Sequence, residues 1–168
     1  MDLLKLMEDR YSVRKYKSDS VPQECVDKIL LSARLAPTAH NNQPQEIIVV
    51  RREEGRALLR KCTECHYDAP LAFIVCYDKN RAWKRSYDGA CSGETDAAIV
   101  TAHMMLEAQS LGLGTTWVMY FIPEAVKTEF ALGDNLVPAA ILLAGYADMG
   151  PAPAHASRRD TDEYVTYR

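Results

Sequence analysis

The longest helical candidate, residues 93–111, is apolar around most of its circumference. Its apolar positions are Ala97, Ala98, Ile99, Val100, Ala102, Met104, Met105, Leu106, Ala108 and Leu111. A helix that is apolar on nearly every side is buried on every side. In a chain of 168 residues such burial is easiest when a second copy packs against the helix, so the pattern favours a homodimer. The alternative is a central helix in a monomer.

Periodicity and helix breakers predict the remaining elements. Two helices come first, at residues 3–8 and 22–36, and Pro37 ends the second of them. The predicted strands are residues 47–50, 71–77, 114–119 and 137–146, and further helices cover 53–65 and 123–132. Because two helices precede the first strand, the strict alternation of a doubly wound fold is absent. We therefore expect one domain over residues 1–168, an α+β sandwich in which helices cover a central sheet.

Composition excludes several classes of protein. Hydrophobic residues make up 48% of the chain and charged residues 26%, which argues against disorder. The net charge of −3 disfavours a protein that binds nucleic acid with its whole surface. No apolar run reaches the ~18 residues of a membrane span, and the N-terminus does not resemble a secretory signal. Five cysteines, an odd number, favour reduced thiols. We expect a cytoplasmic protein without nucleic-acid or membrane partners.

Several catalytic motifs are missing from the sequence. There is no phosphate-binding P-loop, no H-E-x-x-H and no G-x-S-x-G, and Trp117 stands where a dinucleotide-binding fingerprint starting at Gly112 needs its third glycine. The four histidines have no metal-ligand spacing, so we expect no metal site. His103 lies within the apolar helix, where we expect a packed side chain.

The run Cys62-Thr63-Glu64-Cys65-His66 matches the C-x-x-C-H pattern of haem attachment. No export signal supports haem, and a redox dithiol belongs at the start of a helix rather than at its end. Zinc would need a second ligand pair, which Cys91 alone does not supply. A structural or incidental role is the favoured interpretation, and a thiol-redox or metal protein stays open as an alternative.

Cations cluster near both ends of the chain. Arg10 and Arg14 lie in an irregular segment with Ser12, and Arg158 and Arg159 lie in a proline-containing tail. Clustered arginines bind phosphate through paired hydrogen bonds, and a serine hydroxyl adds a further donor. The loop 37–44 carries Asn41, whose amide offers a donor and an acceptor side by side, as the imide edge of a flavin requires.

Taken together and in order, these segments resemble the nitroreductase family of FMN-dependent oxidoreductases, in a short form. The family opens with R-[RHY]-S-x-[RK]-x-[FY], which the run from Arg10 to Tyr16 matches. A P-[ST]-x-x-N-x-Q-P loop follows, matched by residues 37–44, and then G-L-G-[ST]-x-W, matched by residues 112–117. The basic tail around residues 157–159 completes the resemblance, which spans nearly the whole chain.

The resemblance implies a sandwich with a central, mostly antiparallel sheet flanked by helices, and an obligate homodimer with two FMN sites at its interface. Phosphate and ribityl would be held by Arg10, Tyr11 and Ser12 with Arg158, and Arg159 would be a helper. Arg14 would face the N1–C2=O edge of the flavin ring. Thr38 and Asn41 would reach the flavin that the other subunit mainly binds. The backbone at the end of the strand predicted at 114–119 would lie along the flavin ring. The residues concerned are Trp117, Val118, Met119 and Tyr120.

The activity that the resemblance implies is transfer of hydride from NAD(P)H, through flavin N5, to nitro compounds, quinones or other electron-poor acceptors. Because both substrates would use one pocket in turn, ping-pong kinetics are expected, and no side chain need act as a nucleophile. The main alternative is a flavin carrier or sensor of the same fold with little turnover.

The chain departs from the family pattern at several positions. Gln45 replaces a common aromatic residue, and Ala39 replaces a common hydroxyl. Cys62 and Cys65 fall near positions where longer members place Asn and Lys against the flavin. The helical insertion that often covers the substrate pocket is missing. The pyrimidine edge of the flavin is therefore expected to be held differently here.

Overall fold

The computed structural model describes residues 2–168. The helices are α1 (Leu3–Asp9), α2 (Gln23–Leu35), α3 (Glu53–Cys62), α4 (Gly93–Ser110) and α5 (Pro123–Glu129). The strands are β1 (Gln45–Val50), β2 (Leu71–Asp78), β3 (Gly114–Val118) and β4 (Leu136–Gly145). Short 3-10 turns lie at Ala39–Asn41, Pro153–Ala156 and Thr161–Glu163.

The four strands form one antiparallel sheet in the order β1-β2-β4-β3. Leu71 pairs with Ala144 in the centre of the sheet, and Gly114 pairs with Gly145 at its β3 edge. Helices cover both faces, so the predicted α+β sandwich with a mostly antiparallel sheet is confirmed.

Successive side chains of β2 point to opposite faces of the sheet, so the core has two layers. Phe73 and Val75 pack with the α2 and α4 side chains on one face. Ile74 and Cys76 pack with residues of α3 and α5 on the other face. A strand with helices on both sides is apolar at every position, which explains the unbroken apolar run that the sequence shows there.

Helix α4 buries one stripe completely, and its remaining apolar positions are only half-buried in the single chain. The fully buried residues include Ala97, Val100 and Met104. The prediction of a packed His103 is wrong for the single chain, because the side chain is exposed and its Nδ1 lies 2.8 Å from the Ile99 carbonyl oxygen. Among residues 2–168, no helix is long and apolar enough to cross a lipid bilayer.

Helix α3 ends at Cys62, three residues before the predicted end. Thr63 is extended, with φ −156° and ψ 142°, and its side chain bonds outside the helix. Cys65 consequently lies in the turn that follows α3 and not in the helix.

Gly93, the first residue of α4, lies against the ring of Tyr77. A β-carbon added at Gly93 would lie 2.2 Å from Tyr77 Cδ2, and Tyr77 is buried in the core. Gly93→Ala should therefore lower the free energy of unfolding by about 1–3 kcal/mol through overpacking, measured by urea denaturation. The matched control is Gly150→Ala, where an added β-carbon meets nothing within 4 Å. Equal stability of the two variants would contradict the packing argument.

Candidate functional site

The N-terminal segment, residues 10–16, follows α1 and packs against the outer edge of β3. Val13 is fully buried, and its N–H donates to the Thr115 carbonyl oxygen at 2.9 Å. The Thr116 hydroxyl donates to the Val13 carbonyl oxygen. A β-carbon at Gly114 would lie 2.4 Å from Val13 Cγ2, so glycine is what lets the segment approach. With Val13 anchored inward, the less buried Ser12 and Arg14 lie on either side of it at the surface.

The C-terminal tail packs on the same segment. The Tyr11 hydroxyl donates to the Met149 carbonyl oxygen at 2.7 Å, and His155 Nε2 lies 3.0 Å from the carbonyl oxygen of Glu8. The rings of Tyr11 and His155 meet edge to face with centroids 6.1 Å apart. These contacts bring Arg158, almost 150 residues away in the chain, beside Arg10.

A cavity of about 240 Å³ lies between the N-terminal segment and the C-terminal tail. Its lining consists of Arg10, Tyr11, Ser12, Arg14, Ala152, Ala154, His155 and Arg158. Three of these residues are arginines, and within residues 2–168 none of the three has a carboxylate within ion-pair distance. The cavity therefore concentrates positive charge without an internal counter-ion.

Arg10 and Arg158 both line this cavity. Burial and then the Arg158 guanidinium lower the pKa of Arg10. Arg158 is fixed by hydrogen bonds that its Nη1 donates to the carbonyl oxygens of His155 and Ser157. Two like charges held together in this way favour an anion between them. With the Ser12 hydroxyl, the donor set suits a phosphate group.

Arg159 is placed elsewhere. Its guanidinium carbon lies 5.4 Å from the centroid of the Tyr164 ring, and the residue does not line the cavity. Of the two tail arginines predicted at the phosphate, the structure brings only Arg158 to the N-terminal segment.

The loop that carries Thr38 and Asn41 is held by α4. Asp96, buried in the first turn of α4, accepts from Ala39 N–H at 2.9 Å and from the Ser92 hydroxyl at 2.7 Å. The loop contains left-handed residues, among them Asn41 at φ 54°. Thr38 Oγ1 accepts from the Gln43 N–H at 3.0 Å, which closes the loop and leaves Asn41 exposed.

One chain does not bring Thr38 and Asn41 to the arginine cavity. The loop is tied to the first turn of α4, whereas Ser12 pairs with Thr115, which follows the last turn. An 18-residue helix separates its two ends by about 27 Å. The two groups of predicted site residues therefore lie at opposite ends of the chain's own α4.

The end of β3 and the residues that follow it present exposed side chains. Val118 is buried, whereas Met119 is 65% and Tyr120 73% exposed. Trp117 is half-buried, and its Nε1 lies 3.1 Å from Met119 Sδ. The Thr63 hydroxyl donates to the Tyr120 carbonyl oxygen at 2.5 Å, which ties this strand end to the turn after α3.

Sequence reasoning assigned no role to His155, which lines the cavity, or to Tyr67, which does not line it. His155 has no motif around it, yet its ring fixes the tail against α1. Tyr67 lies in the turn after α3: the Cys65 thiol and burial raise the pKa of Tyr67, and the Arg14 guanidinium opposes the rise. Both contacts depend on tertiary packing, and neither has a signal at the level of sequence spacing.

The fold and this cavity together define an α+β sandwich protein with an arginine-lined cavity at the edge of its sheet. The family model described as "Nitroreductase family" matches residues 7–72 and 63–146. The chain belongs to the nitroreductase family, as its motifs predicted.

Relatives and solved structures agree with this assignment. A protein of Methanothermobacter thermautotrophicus named as an NADH dehydrogenase/NAD(P)H nitroreductase is 33% identical over 90% of this chain and 80% of its own length. A crystal structure of a nitroreductase family protein from Clostridium difficile 630 has a TM-score of 0.95 and 44% identity, covering 99% of this chain and 98% of that one. A nitroreductase of Desulfovibrio desulfuricans in complex with FMN has a TM-score of 0.84 and 25% identity, covering 100% and 97%.

Proposed function

We propose that the protein binds FMN between two copies of the chain and uses it for NAD(P)H-dependent reduction of nitro compounds, quinones or related electron-poor acceptors. The observation that carries the proposal is the cavity where Arg10, Ser12 and Arg158 converge and where, among residues 2–168, no carboxylate pairs with either arginine. We infer the NAD(P)H-dependent activity from the name of the Methanothermobacter relative, and the cofactor from the FMN complex of the Desulfovibrio structure.

The residues present fit the phosphate of FMN. Arg10 and Arg158 offer planar donors that match phosphate oxygens, and like-charge repulsion between them is relieved when a dianion enters. Ser12 lies in the same cavity with a hydroxyl donor. From this cavity the outer edge of β3 leads toward Trp117 and the exposed Met119 and Tyr120. We assign the flavin ring to this direction.

When bound, FMN would supply the hydride-transfer chemistry between the nicotinamide and the acceptor. The side chains of the protein would position the flavin and set the charge around its ring. Arg14, on the same extended segment as Ser12, would place its guanidinium at the pyrimidine edge of the flavin. One pocket would serve the nucleotide and the acceptor in turn, which implies ping-pong kinetics. No side chain at the site needs to form a covalent bond with substrate.

A second copy would complete the site. Thr38 and Asn41 cannot reach the chain's own arginine cavity because the length of α4 lies between them. Large exposed apolar side chains stand near this loop and near the N-terminus, as expected of surfaces that a partner covers. They are Leu3, Leu4, Met7, Leu31 and Leu35. In a twofold dimer, each Asn41 would lie against the flavin that the partner's arginines bind.

The test of the proposed function is anaerobic reduction of the purified protein. We expect a yellow protein whose flavin absorbance is bleached by NADH or NADPH and restored by a quinone or a nitroaromatic compound. A colourless protein that takes up no FMN would contradict the proposal. A yellow protein that neither nucleotide bleaches would identify the chain as a flavin carrier or sensor instead.

Arg14→Ala should lower the midpoint potential of the bound flavin. A cation beside N1–C2=O favours the form with negative charge there, and two charges ~4 Å apart at an effective dielectric constant of ~20 interact with ~4 kcal/mol before solvation is counted. A net loss of about 1–2 kcal/mol corresponds to a fall of about 20–40 mV for a two-electron couple. Spectroelectrochemical titration measures the potential, with Arg52→Ala, on the exposed N-cap of α3, as the control. An unchanged potential and unchanged FMN affinity would remove Arg14 from the site.

A further inference from the structure

The hairpin between β2 and α4, residues 79–92, carries a local excess of positive charge. Its cations are Lys79, Arg81, Lys84 and Arg85. The hairpin has one carboxylate, Asp88, in a chain whose net charge is −3. Asp88 is already paired, because Arg85 Nε and Nη2 donate to its two oxygens at 3.0 and 2.7 Å. The excess charge therefore lies at the base of the hairpin and not at its tip, where Tyr87 is 92% exposed.

The base of the hairpin is fixed to the loop that carries Asn41. The rings of Trp83 and His40 stack with their centroids 5.2 Å apart and 15° between their planes. Asn42 Nδ2 donates to the Arg81 carbonyl oxygen at 3.0 Å. The base and the loop therefore form one continuous surface. If Asn41 lies against the partner's flavin, the base of the hairpin lies beside that flavin as well.

Asp96 joins the loop to the hairpin. Its carboxylate, which is 2% exposed, accepts from the Ala39 N–H in the loop at 2.9 Å and from the Ser92 hydroxyl in the hairpin at 2.7 Å. The Ser92 N–H donates in turn to the Trp83 carbonyl oxygen at 2.9 Å. The Asp96 carboxylate thus binds a backbone N–H and a hydroxyl, and it forms no ion pair with the hairpin cations.

Two cations at the base, Arg81 and Lys84, flank Trp83 and are exposed. Within residues 2–168, neither has a carboxylate oxygen within ion-pair distance. Asp78, the carboxylate nearest to Arg81 in the sequence, accepts from the Asn80 N–H at 2.8 Å. A guanidinium and an ammonium group that lack protein counter-ions suit the oxygens of a phosphate group.

The phosphate of FMN is assigned to the arginine cavity, at the opposite end of α4 from this hairpin. The cations at the base would therefore bind a different phosphate. The nucleotide that reduces the flavin must bring its nicotinamide to the ring, and its adenosine lies at the far end of the molecule. In NADPH the ribose of that adenosine carries a 2′-phosphate, which NADH lacks.

We propose that Arg81 and Lys84 bind the 2′-phosphate of NADPH at the flavin site of the partner, and that the protein consequently prefers NADPH to NADH. The proposal rests on the proposed function and names the nucleotide that the shared site takes. It adds a binding contact and no covalent or redox step.

The first test is anaerobic stopped-flow reduction of the FMN-loaded dimer by each nucleotide. In the wild-type protein, the second-order rate constant should be at least about tenfold larger with NADPH than with NADH, the effect of one or two charge-assisted contacts to phosphate. In Arg81→Ala/Lys84→Ala the ratio of the two rate constants should fall close to one.

Two variants control for a general disturbance of the protein. Arg81→Lys/Lys84→Arg keeps both charges and should keep most of the preference for NADPH. Arg52→Ala, which removes an exposed cation at the N-cap of α3, should keep all of it. A wild-type protein without a preference for NADPH, or an alanine double variant with the wild-type ratio, would overturn the proposal.

The second test measures binding without turnover. Adenosine 2′,5′-bisphosphate carries the 2′-phosphate but no nicotinamide, and 5′-AMP lacks the 2′-phosphate. Calorimetric titration of the oxidised, FMN-loaded dimer should show about tenfold tighter binding of the bisphosphate. The difference should disappear in Arg81→Ala/Lys84→Ala and should shrink as salt is added, because both cations are exposed. Equal affinities in the wild-type protein would contradict the proposal.

A negatively charged acceptor could use the same cations. If Arg81→Ala/Lys84→Ala lost activity with a carboxylated nitroaromatic compound and kept the wild-type nucleotide ratio, the assignment to the 2′-phosphate would be overturned. A wild-type protein that takes up no FMN, or whose flavin neither nucleotide bleaches, would instead contradict the proposed function, so the two failures are distinguishable.

Discussion

The double variant Arg10→Ala/Arg158→Ala should lose measurable FMN binding. Each guanidinium makes charge-assisted hydrogen bonds to phosphate, and a hydrogen bond to a charged group contributes about 1.5–3 kcal/mol. Each single variant should therefore weaken FMN binding about 10- to 100-fold. Quenching of flavin fluorescence during titration of the apoprotein measures the dissociation constants.

A second readout separates binding from folding. In the absence of FMN, burial and Arg158 disfavour the charged form of Arg10, so the two arginines repel each other. Arg158→Ala should leave the urea stability of the apoprotein unchanged or slightly higher while FMN affinity falls. Arg52→Ala is the control, since Arg52 is exposed and far along the chain from the cavity. Wild-type affinity in both single variants would mean that the cavity is not the phosphate site.

The single substitution Leu35→Glu should convert a yellow dimer into a colourless monomer. Leu35 is 71% exposed at the end of α2, two residues before the loop that carries Thr38 and Asn41. If that loop reaches the partner's flavin, Leu35 lies at the dimer interface, where a buried unpaired carboxylate costs several kcal/mol. Because the flavin site would be shared, FMN and the partner should be lost together. Size-exclusion chromatography with detection of flavin absorbance measures both.

The matched control introduces the same charge away from the interface. Tyr87→Glu alters an exposed aromatic residue on the hairpin between β2 and α4 and should leave dimer and colour unchanged. A Leu35→Glu protein that stays dimeric and yellow would show that this end of α2 faces solvent.

The sequence predicted the elements of the fold well and their ends less well. The four strands were found because β4 and all of β2 before Asp78 lack charged residues, and the other strands have clear breakers. The predicted helix over 53–65 was three residues too long, since Thr63 bonds to Tyr120 across the fold. The predicted helix over 123–132 was also too long, because Ala131 turns into the left-handed region at φ 51°. The end of α3 depends on a contact across the fold that no local pattern encodes.

The residues of the candidate site were likewise predicted only in part. The motif that contains Arg10, Ser12 and Arg14 was identified by its resemblance to a family, and the structure adds that Val13 anchors it to β3. Arg158 and Arg159 are neighbours in the sequence, and only tertiary packing separates their roles, one in the cavity and one over Tyr164. The place of His155 in the cavity could not be predicted, because it depends on the packing of the tail against α1.

Sedimentation velocity, recorded at protein and at flavin absorbance together, tests most directly whether FMN is held between two chains. We expect the flavin signal to move with a species of twice the chain mass of 18.8 kDa, at one FMN per chain, and to stay with that species as the protein is diluted. Flavin that sediments with an 18.8 kDa monomer, or a dimer that carries none after incubation with FMN, would contradict the shared site.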